Sequence, residues 1–351
     1  MREPIESIRF TPVCDSQKTG ASMRKTILPF SLACLLATAP ASAKTIKLGT
    51  LAPTGSPWHK ALLDMAQQWS DASEKKVELK IYPDGRLGNE GDMVRKIRIG
   101  QLQGAMITGI GLSEIARAPL ALQIPMMFES WEQLDCVRDA MAPALEQSIL
   151  EKGFVVLNWG DAGWVHQFSK TPAKTADDYR KLKYFVWAGD SESENAWRSA
   201  GFNPVPLSST DVLSSLQTGM ISAFGTSAIY ALSSQWFGLA KNMVKVKWVA
   251  LNGATVVEKK AWEAIDPTIQ KKLLDISRAK GIELRKTVRD MNDKAVDAMV
   301  EKGLTVHVPT ETELADWKKA AEIAYPTIRE KVVDSATFDA VQKLAAQCKG
   351  K

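Results

Sequence analysis

The sequence has few of the residues that usually build metal and nucleophile sites. Its 351 residues include only four cysteines and three histidines. His59, His166 and His307 lie far apart, and the spacing of Cys136 and Cys348 fits no metal-binding motif. No nucleophile elbow and no motif-framed pair of carboxylates appears. We therefore predict no zinc site, no cofactor and no catalytic residue, and the protein is not expected to be an enzyme.

Blocks of like charge and long apolar runs are also missing. The formal net charge is +5, but the basic residues form no cluster, so nucleic acid is not an expected partner. After residue 43 no apolar run is long enough to span a bilayer. The stretch Thr108-Gly109-Ile110-Gly111 begins like a dinucleotide fingerprint, but Glu114 stands where the third glycine belongs. A turn at a strand end is the better interpretation.

The N-terminus has the pattern of a secretory signal peptide. A short basic region, Met23-Arg24-Lys25, precedes the apolar stretch ILPFSLACLLATAP, and Ala41-Ser42-Ala43 is an A-x-A cleavage site. We predict that residues 1–43 are a signal peptide, within which residues 1–22 could precede the true start at Met23. Export to the periplasm follows. That oxidising compartment would allow one disulfide between Cys136 and Cys348.

Alternating strand and helix patterns follow the cleavage site. The stretches TIKLGTL, KVELKIY, GAMIT and FVVLNWG read as strands, with helices from about His59 to Ser73 and from about Gly91 to Ile99 between them. Strand–helix–strand crossovers force parallel pairing, so a mostly parallel α/β sheet is expected. These elements form the first predicted lobe, residues 44–162 with about 250–288.

The pattern changes character at Gly160–Gly163, where we expect the chain to cross into a second lobe. New strands are predicted at KYFVW and MISAFGT, and the run NMVKVKWVALNGATVVE reads as one strand returning to the first lobe. A helix from Thr268 to about Lys302 would be roughly 50 Å long, enough to lie across two lobes. The second lobe is predicted to contain residues 163–249 with about 289–351.

Several segments together resemble one protein family. They are GTLAPTGSPWHKALLDMAQ, YPDGRLGNEGDMVRKIRIGQL, LQIPMMFES, ADDYRKLK and GFNPVPLSSTDVLSSLQTGMISAF, in this order. In residue types and spacing they resemble the periplasmic substrate-binding subunits of tripartite ATP-independent (TRAP) transporters, of the DctP-like type. The resemblance implies a two-lobed periplasmic binding protein fold with a long lobe-spanning helix. It also implies a monomer that passes a small organic solute to TRAP membrane permease subunits.

The resemblance also implies where the solute is bound. In that family an arginine in a Leu-Lys-Ile-Arg-Val-Pro segment pairs with the substrate carboxylate through two hydrogen bonds. The corresponding segment here has Phe185 at the arginine position. Two further polar positions of the family correspond to His166 and Thr226. Either the solute lacks the carboxylate, or another cation such as protonated His166 binds it.

Other candidate site residues have two interpretations each. Phe185 and Trp187 share one strand face and form either an aromatic wall of the cleft or plain core. Trp58 follows the first strand and is a further aromatic candidate, with packing as its alternative. Asn89 and Glu90 either contact the solute or cap the next helix. His166 is either a solute contact or a structural histidine.

The expected function is therefore capture of a small organic solute in the periplasm for a membrane permease. A periplasmic sensor or orphan binding protein that signals to a membrane receptor is the alternative, and neighbouring permease genes would separate the two. An enzyme built on the same scaffold is a more distant third hypothesis.

Overall fold

Ten strands and twelve α-helices are formed by residues 43–350, the part of the chain that the computed structural model describes. The predicted signal peptide lies, apart from Ala43, outside the described residues. The strands are β1 (Lys44–Thr50), β2 (Val77–Tyr82), β3 (Gly104–Thr108), β4 (Phe154–Ser169), β5 (Lys183–Trp187), β6 (Asn203–Leu207), β7 (Ala223–Ser227), β8 (Asn242–Val244), β9 (Ala250–Glu258) and β10 (Thr305–His307).

The α-helices cover the sheet on both faces. They are α1 (Pro57–Ala72), α2 (Glu90–Arg98), α3 (Gly109–Ser113), α4 (Trp131–Leu150), α5 (Ala176–Arg180), α6 (Ser191–Ser199), α7 (Val212–Thr218), α8 (Ala228–Ser233), α9 (Lys259–Glu263), α10 (Pro267–Val300), α11 (Glu311–Thr327) and α12 (Ser335–Gln347). Short 3-10 turns lie at Ala118–Gln123, Ser209–Asp211 and Trp236–Gly238, and one π-helical turn lies at Ile328–Val332.

The sheet runs in the order β2-β1-β3-β9-β4-β7-β5-β6, with β8 on β4 and β10 on β8. We call β2, β1, β3, β9 and the first part of β4 (154–164) the first half-sheet. The second half-sheet consists of the rest of β4 (165–169) with β7, β5, β6, β8 and β10. Pairs of the outer strands are parallel, whereas β9 and β4 are antiparallel to their neighbours. This is the two-lobed, mostly parallel α/β architecture implied by the resemblance.

The long helix α10 has the predicted position and length. Pro267 occupies its first turn, the Asp266 side chain accepts hydrogen bonds from the first backbone amides, and the helix continues for 34 residues. It packs against α1, β4 and α8 and so contacts elements of both half-sheets. Among residues 43–350 no helix combines the length and hydrophobicity needed to cross a membrane.

Two strand predictions need correction. The change of pattern at Gly160–Gly163 does not end a strand, because β4 runs unbroken through it with two register shifts, one of them between Asp161 and Gly163. These bulges let one strand serve both half-sheets. The run from Asn242 to Glu258 is two strands, β8 and β9, since residues 245–249 leave the ladder between the half-sheets.

Candidate functional site

Two adjoining cavities lie where the half-sheets meet. The larger has a volume of about 170 Å³ and the smaller about 80 Å³. Trp187, Thr226 and Leu251 line both of them. The smaller cavity is at the carboxyl ends of β1 and β3, the position at which open α/β sheets bind ligands.

Aromatic rings form much of the wall of the larger cavity. The Phe185 ring lies 5.6 Å from Trp187 and 6.2 Å from Trp236, measured between centroids. On another side, Trp197 lies 4.6 Å from Tyr184 and 5.5 Å from Trp248. Because these rings pack against one another, each is held in one orientation. They present a rigid apolar surface to whatever occupies the space.

The smaller cavity has a buried carboxylate at its base. Glu90 accepts hydrogen bonds from the Thr108 amide (2.8 Å), the Thr108 hydroxyl (2.7 Å) and the Gly111 amide (2.9 Å). These donors are at the start of α3, so the carboxylate caps that helix. A Cβ at Gly111 would lie 2.8 Å from the Glu90 Cβ, so glycine permits the close approach. Burial raises the pKa of the Glu90 carboxyl against the opposing effect of these hydrogen bonds.

Trp58 of α1 and Tyr230 of α8 are two aromatic residues that line the smaller cavity. The Trp58 indole N–H donates to the Asp161 carbonyl oxygen at 3.0 Å, which fixes the ring at the start of α1. Its centroid lies 6.4 Å from that of Tyr230 on α8. The two rings therefore form an aromatic contact between the lobes beside the cavity.

The charged side chains that line the two cavities, within residues 43–350, are all acidic: Glu90, Asp161, Asp190 and Glu194. Three of them have arginine partners that lie outside the lining. Asp161 pairs with Arg138 at 2.8 Å and with Arg289 at 2.6 Å, while Asp190 is 3.2 Å from Arg117 and Glu194 is 2.6 Å from Arg198. A carboxylate in either cavity would face aromatic rings and other carboxylates.

Five of the seven residues predicted from the sequence line a cavity. Trp187 and Thr226 line both, Phe185 lines the larger, and Trp58 and Glu90 line the smaller. Phe185 is also packed into a hydrophobic core cluster, so the two interpretations of this residue are compatible. Asn89 and His166 line neither cavity.

His166 does not have the surroundings of an anion-binding residue. Its side chain is 2% exposed, and Nδ1 lies 2.8 Å from the Val246 carbonyl oxygen. Burial lowers the pKa of His166 to about 4, partly opposed by that hydrogen bond. The ring is therefore neutral at neutral pH and fixed to the backbone, which fits the structural interpretation.

Asn89 acts on its own helix. Its side-chain oxygen accepts from the Asp92 amide at 2.8 Å, and the Asp92 carboxylate accepts from the Asn89 amide at 3.0 Å. This reciprocal capping box fixes the N-terminus of α2. The capping alternative describes Asn89, whereas its neighbour Glu90 turns into the cavity.

Sequence reasoning missed most of the aromatic residues that line the two cavities. Tyr184 alternates with Phe185 on β5, so it lies on the opposite strand face, and it is not among the predicted site residues. Trp197 on α6, Trp236 and Tyr230 carried no motif that pointed to a site. The available signal was the number of aromatic residues between positions 184 and 248, which are brought together only by the tertiary fold.

The two lobes touch on both sides of the cavities. At one side a Cβ on Gly85 would lie 3.1 Å from the Thr210 methyl group, so the turn after β2 meets the segment before α7. At the other side Arg117 donates to the Val332 carbonyl oxygen at 2.7 Å and to Asp190 at 3.2 Å. The elements on the two sides of the cleft are therefore in contact beside the cavities.

Comparison with known proteins agrees with this geometry. The family model described as bacterial extracellular solute-binding protein, family 7 (DctP), matches residues 48–331. The 2,3-diketo-L-gulonate-binding periplasmic protein YiaO of Escherichia coli is 24% identical over 272 residues, which are 77% of this chain and 82% of that protein. The C4-dicarboxylate-binding periplasmic protein DctP of Rhodobacter capsulatus is 22% identical over 293 residues, or 81% and 85%.

A solved structure is similar over nearly its whole length. The TRAP periplasmic solute-binding protein of Haemophilus influenzae with bound L-gulonate superposes with a TM-score of 0.80 at 20% identity, covering 87% of this chain and 99% of that one. At this level of identity the likeness shows that the two chains share a fold.

Proposed function

The chain belongs to bacterial extracellular solute-binding protein family 7, the DctP family of TRAP-type periplasmic binding proteins, and from this premise we propose that its solute is a small ring compound without a carboxylate. The solute is neutral or carries a positive charge. It is enclosed between the two lobes and delivered to a TRAP membrane permease.

The observation that carries the proposal is the charge of the cavity lining. All charged residues among the lining are carboxylates, and Phe185 stands where the family resemblance leads one to expect the arginine. A carboxylate enclosed in a dry cleft without a cationic partner costs several kcal/mol. Some relatives are named for sugar acids or dicarboxylates. The carboxylate of such a molecule would be unpaired, at this energetic cost, in the cavities of this chain.

The volume of the cavities favours a single ring. An apolar cavity of about 150 Å³ in another protein accommodates benzene, and the larger cavity here has about 170 Å³. The ring would pack against Phe185, Trp187 and Trp236. A short polar substituent would fit the smaller cavity, about 80 Å³, which contains Glu90, Thr108 and Tyr230.

Export, lobe limits and partners belong to the same proposal. The family is periplasmic, and we propose that residues 1–43 direct export and are removed. The lobes would consist of residues 44–162 with about 250–288, and of 163–249 with about 289–351. The protein would act as a monomer. TRAP permease genes beside its gene would support delivery, whereas a membrane receptor gene in that place would favour a sensor.

Identification of the compound that stays bound during gentle purification tests the proposal. Native mass spectrometry should detect a ring compound without a carboxylate, and isothermal titration should detect no tight binding of succinate, L-gulonate or a sialic acid. Tight binding of any of these acids would refute the proposal.

A pair of variants locates the bound compound. Trp187→Leu removes a ring that lines both cavities and should lose the compound. Trp131→Leu alters a tryptophan that packs on Trp164 outside the lining and should keep it. Equal retention by both variants would contradict the assigned site.

A further inference from the structure

We propose that the solute has an apolar tail that passes through an opening in the second half-sheet. The tail would be bound on the face of that half-sheet to which Tyr184 and Val186 point. This inference rests on the proposed function and adds to it a substrate class: a ring compound with a short alkyl chain. The binding site would then extend out of the cleft into the interior of the second lobe.

The opening lies between β5 and β7. β5 pairs with β6 along all five residues, and β7 pairs with β4 along all five. In contrast, β5 and β7 are in register only at Tyr184 and Ala223. Beyond that pair the strands diverge, and residues 185–187 and 224–226 face each other without a ladder.

The larger cavity reaches both faces of the sheet through this opening. Phe185 belongs to a core cluster that also contains residues of α8 and α10. We call the face of the sheet to which Phe185 points the front face. Tyr184 and Val186 point to the opposite face, which we call the rear face, and belong to a second cluster that includes residues of α11. All three residues line the same cavity. Because neighbouring residues of a strand point to opposite faces, a cavity lined by all three touches both faces of the sheet beside β5.

Part of the wall on this side of the sheet consists of small apolar side chains. Ala196 and Ala200 of α6 and Ala320 and Ala324 of α11 line the space, and each is 6% exposed or less. The indoles of Trp197 and Trp248 bound it on another side. Because the four alanines are small, space remains between them and the two indole rings. An alkyl chain in this space would bury apolar surface, which favours binding.

The backbone polar groups at the edges of the opening would be stabilised by hydrogen bonds to a ligand. Backbone amide and carbonyl groups that would pair across β5 and β7 have no ladder partner there, and buried backbone polar groups need partners. Gly225 lets the Tyr184 hydroxyl lie against the backbone of β7, since a Cβ at this position would lie 2.3 Å from that hydroxyl. A solute hydroxyl or amine near the opening could bind these backbone groups.

Phenol, 4-ethylphenol and 4-butylphenol serve as probes for isothermal titration. In the wild-type protein each added methylene should raise affinity about fourfold, which corresponds to about 0.8 kcal/mol per buried CH₂. Ala324→Leu narrows the space behind the sheet. It should abolish the gain from ethyl to butyl while the affinity for phenol stays within about twofold. Ala315→Leu, on the exposed side of the same helix, should behave as the wild type.

An equal gain per methylene in Ala324→Leu and the wild type would overturn the inference, as would failure of 4-butylphenol to bind the wild type. A crystal of the wild type with 4-(4-bromobutyl)phenol tests it without any variant. The anomalous bromine peak is expected between Trp248 and Ala324. A peak beside Trp58 or Tyr230 would refute the rear subsite but leave the proposed function intact, whereas a co-purified carboxylate would refute the proposed function itself.

Discussion

At the scale of single residues, Phe185 leaves the aromatic wall of the larger cavity without a positive charge. Replacing it with arginine puts a guanidinium beside Trp187 and Trp236. Charge-assisted hydrogen bonds to a carboxylate contribute about 1.5–3 kcal/mol. We therefore expect Phe185→Arg to bind succinate at least about tenfold more tightly than the wild type, measured by isothermal titration.

The control for this substitution is Phe185→Leu, which keeps an apolar wall and should gain nothing for succinate. Circular dichroism would establish that both variants are folded. A folded Phe185→Arg without improved succinate binding would contradict the alignment of Phe185 with the family arginine.

His166 makes a prediction about acid stability. Its pKa is about 4 in the native state and about 6.5 in an unfolded chain. Above about pH 6.5 both states hold the neutral ring. Between that pH and about 4 only the unfolded state binds the proton, so native stability falls as the pH falls, by up to about 3 kcal/mol.

Urea unfolding across this pH range would measure the slope. His166→Asn can keep the hydrogen bond to Val246 but cannot titrate, so its stability should fall less steeply between about pH 6.5 and about pH 4.5. Solute affinity should be flat from about pH 5.5 to about pH 8 in both proteins, because the native ring stays neutral. Equal unfolding slopes would contradict the assigned burial effect.

The sequence predicted which residues line the cavities better than it predicted what each residue does there. Phe185, Trp187 and Thr226 were found from the family segments, and all three line the cavities. His166 lies in register with Thr226, yet its ring is bound to the carbonyl of Val246, which is distant in sequence. Tyr184, on the strand face opposite Phe185, is not among the predicted residues although it lines the larger cavity. A local pattern cannot reveal a gap between strands that are distant in the chain.

At the scale of secondary-structure elements, helices and isolated strands were largely predictable. Their hydrophobic periods and caps are local, as in α1, α2 and α10. The continuity of β4 was not, since the glycines at 160 and 163 read as a break whereas the pairing with β9 continues across them. Strand β6 contains Pro204 and Pro206 but lies at the sheet edge, where a missing backbone donor is tolerated.

The disulfide between Cys136 and Cys348 connects α4 to the end of α12. It closes a loop with a sequence separation of 212 residues, so the loop-entropy estimate for its contribution to the free energy of unfolding is about 5 kcal/mol. We expect the double variant Cys136→Ser with Cys348→Ser to lose roughly 2–5 kcal/mol in urea unfolding.

Reduction of the wild type should give the same loss, and a reductant should not change the double variant further. Labelling of both thiols in the unreduced wild-type protein would show that the bond is not formed, and would contradict this prediction.

At the scale of the whole molecule, a buried network of ion pairs supports the walls of the cavities. Asp161, Arg138 and Arg289 form a buried network that joins α4, β4 and α10, and the Asp161 carbonyl oxygen also orients Trp58. Removal of one member of such a network usually costs several kcal/mol, because a charge stays buried without its partner. The network therefore keeps α4, β4 and α10 together around the cavities. Opening of the cleft must occur at weaker contacts.

Arg117 makes the contact best placed to control opening. Its guanidinium is partly exposed and donates to the Val332 carbonyl oxygen and to Asp190 at the start of α6. The bond to Asp190 joins elements on opposite sides of the cleft and must break when they separate, so it stabilises the closed state selectively. After allowance for solvent screening we assign it about 1 kcal/mol. Arg117→Met should therefore release the co-purified solute about fivefold faster in stopped-flow fluorescence, with little change in the association rate.

Arg198→Met is the matched control for this experiment. Arg198 pairs with Glu194 within α6 and does not connect the lobes, so its loss should leave the release rate unchanged. Equal release rates for Arg117→Met and the wild type would mean that another contact limits opening. The approach of the turn at Gly85 to Thr210 would be the next contact to test. A closed cleft held by weak contacts at its rim allows a binding protein to enclose its solute firmly and still release it.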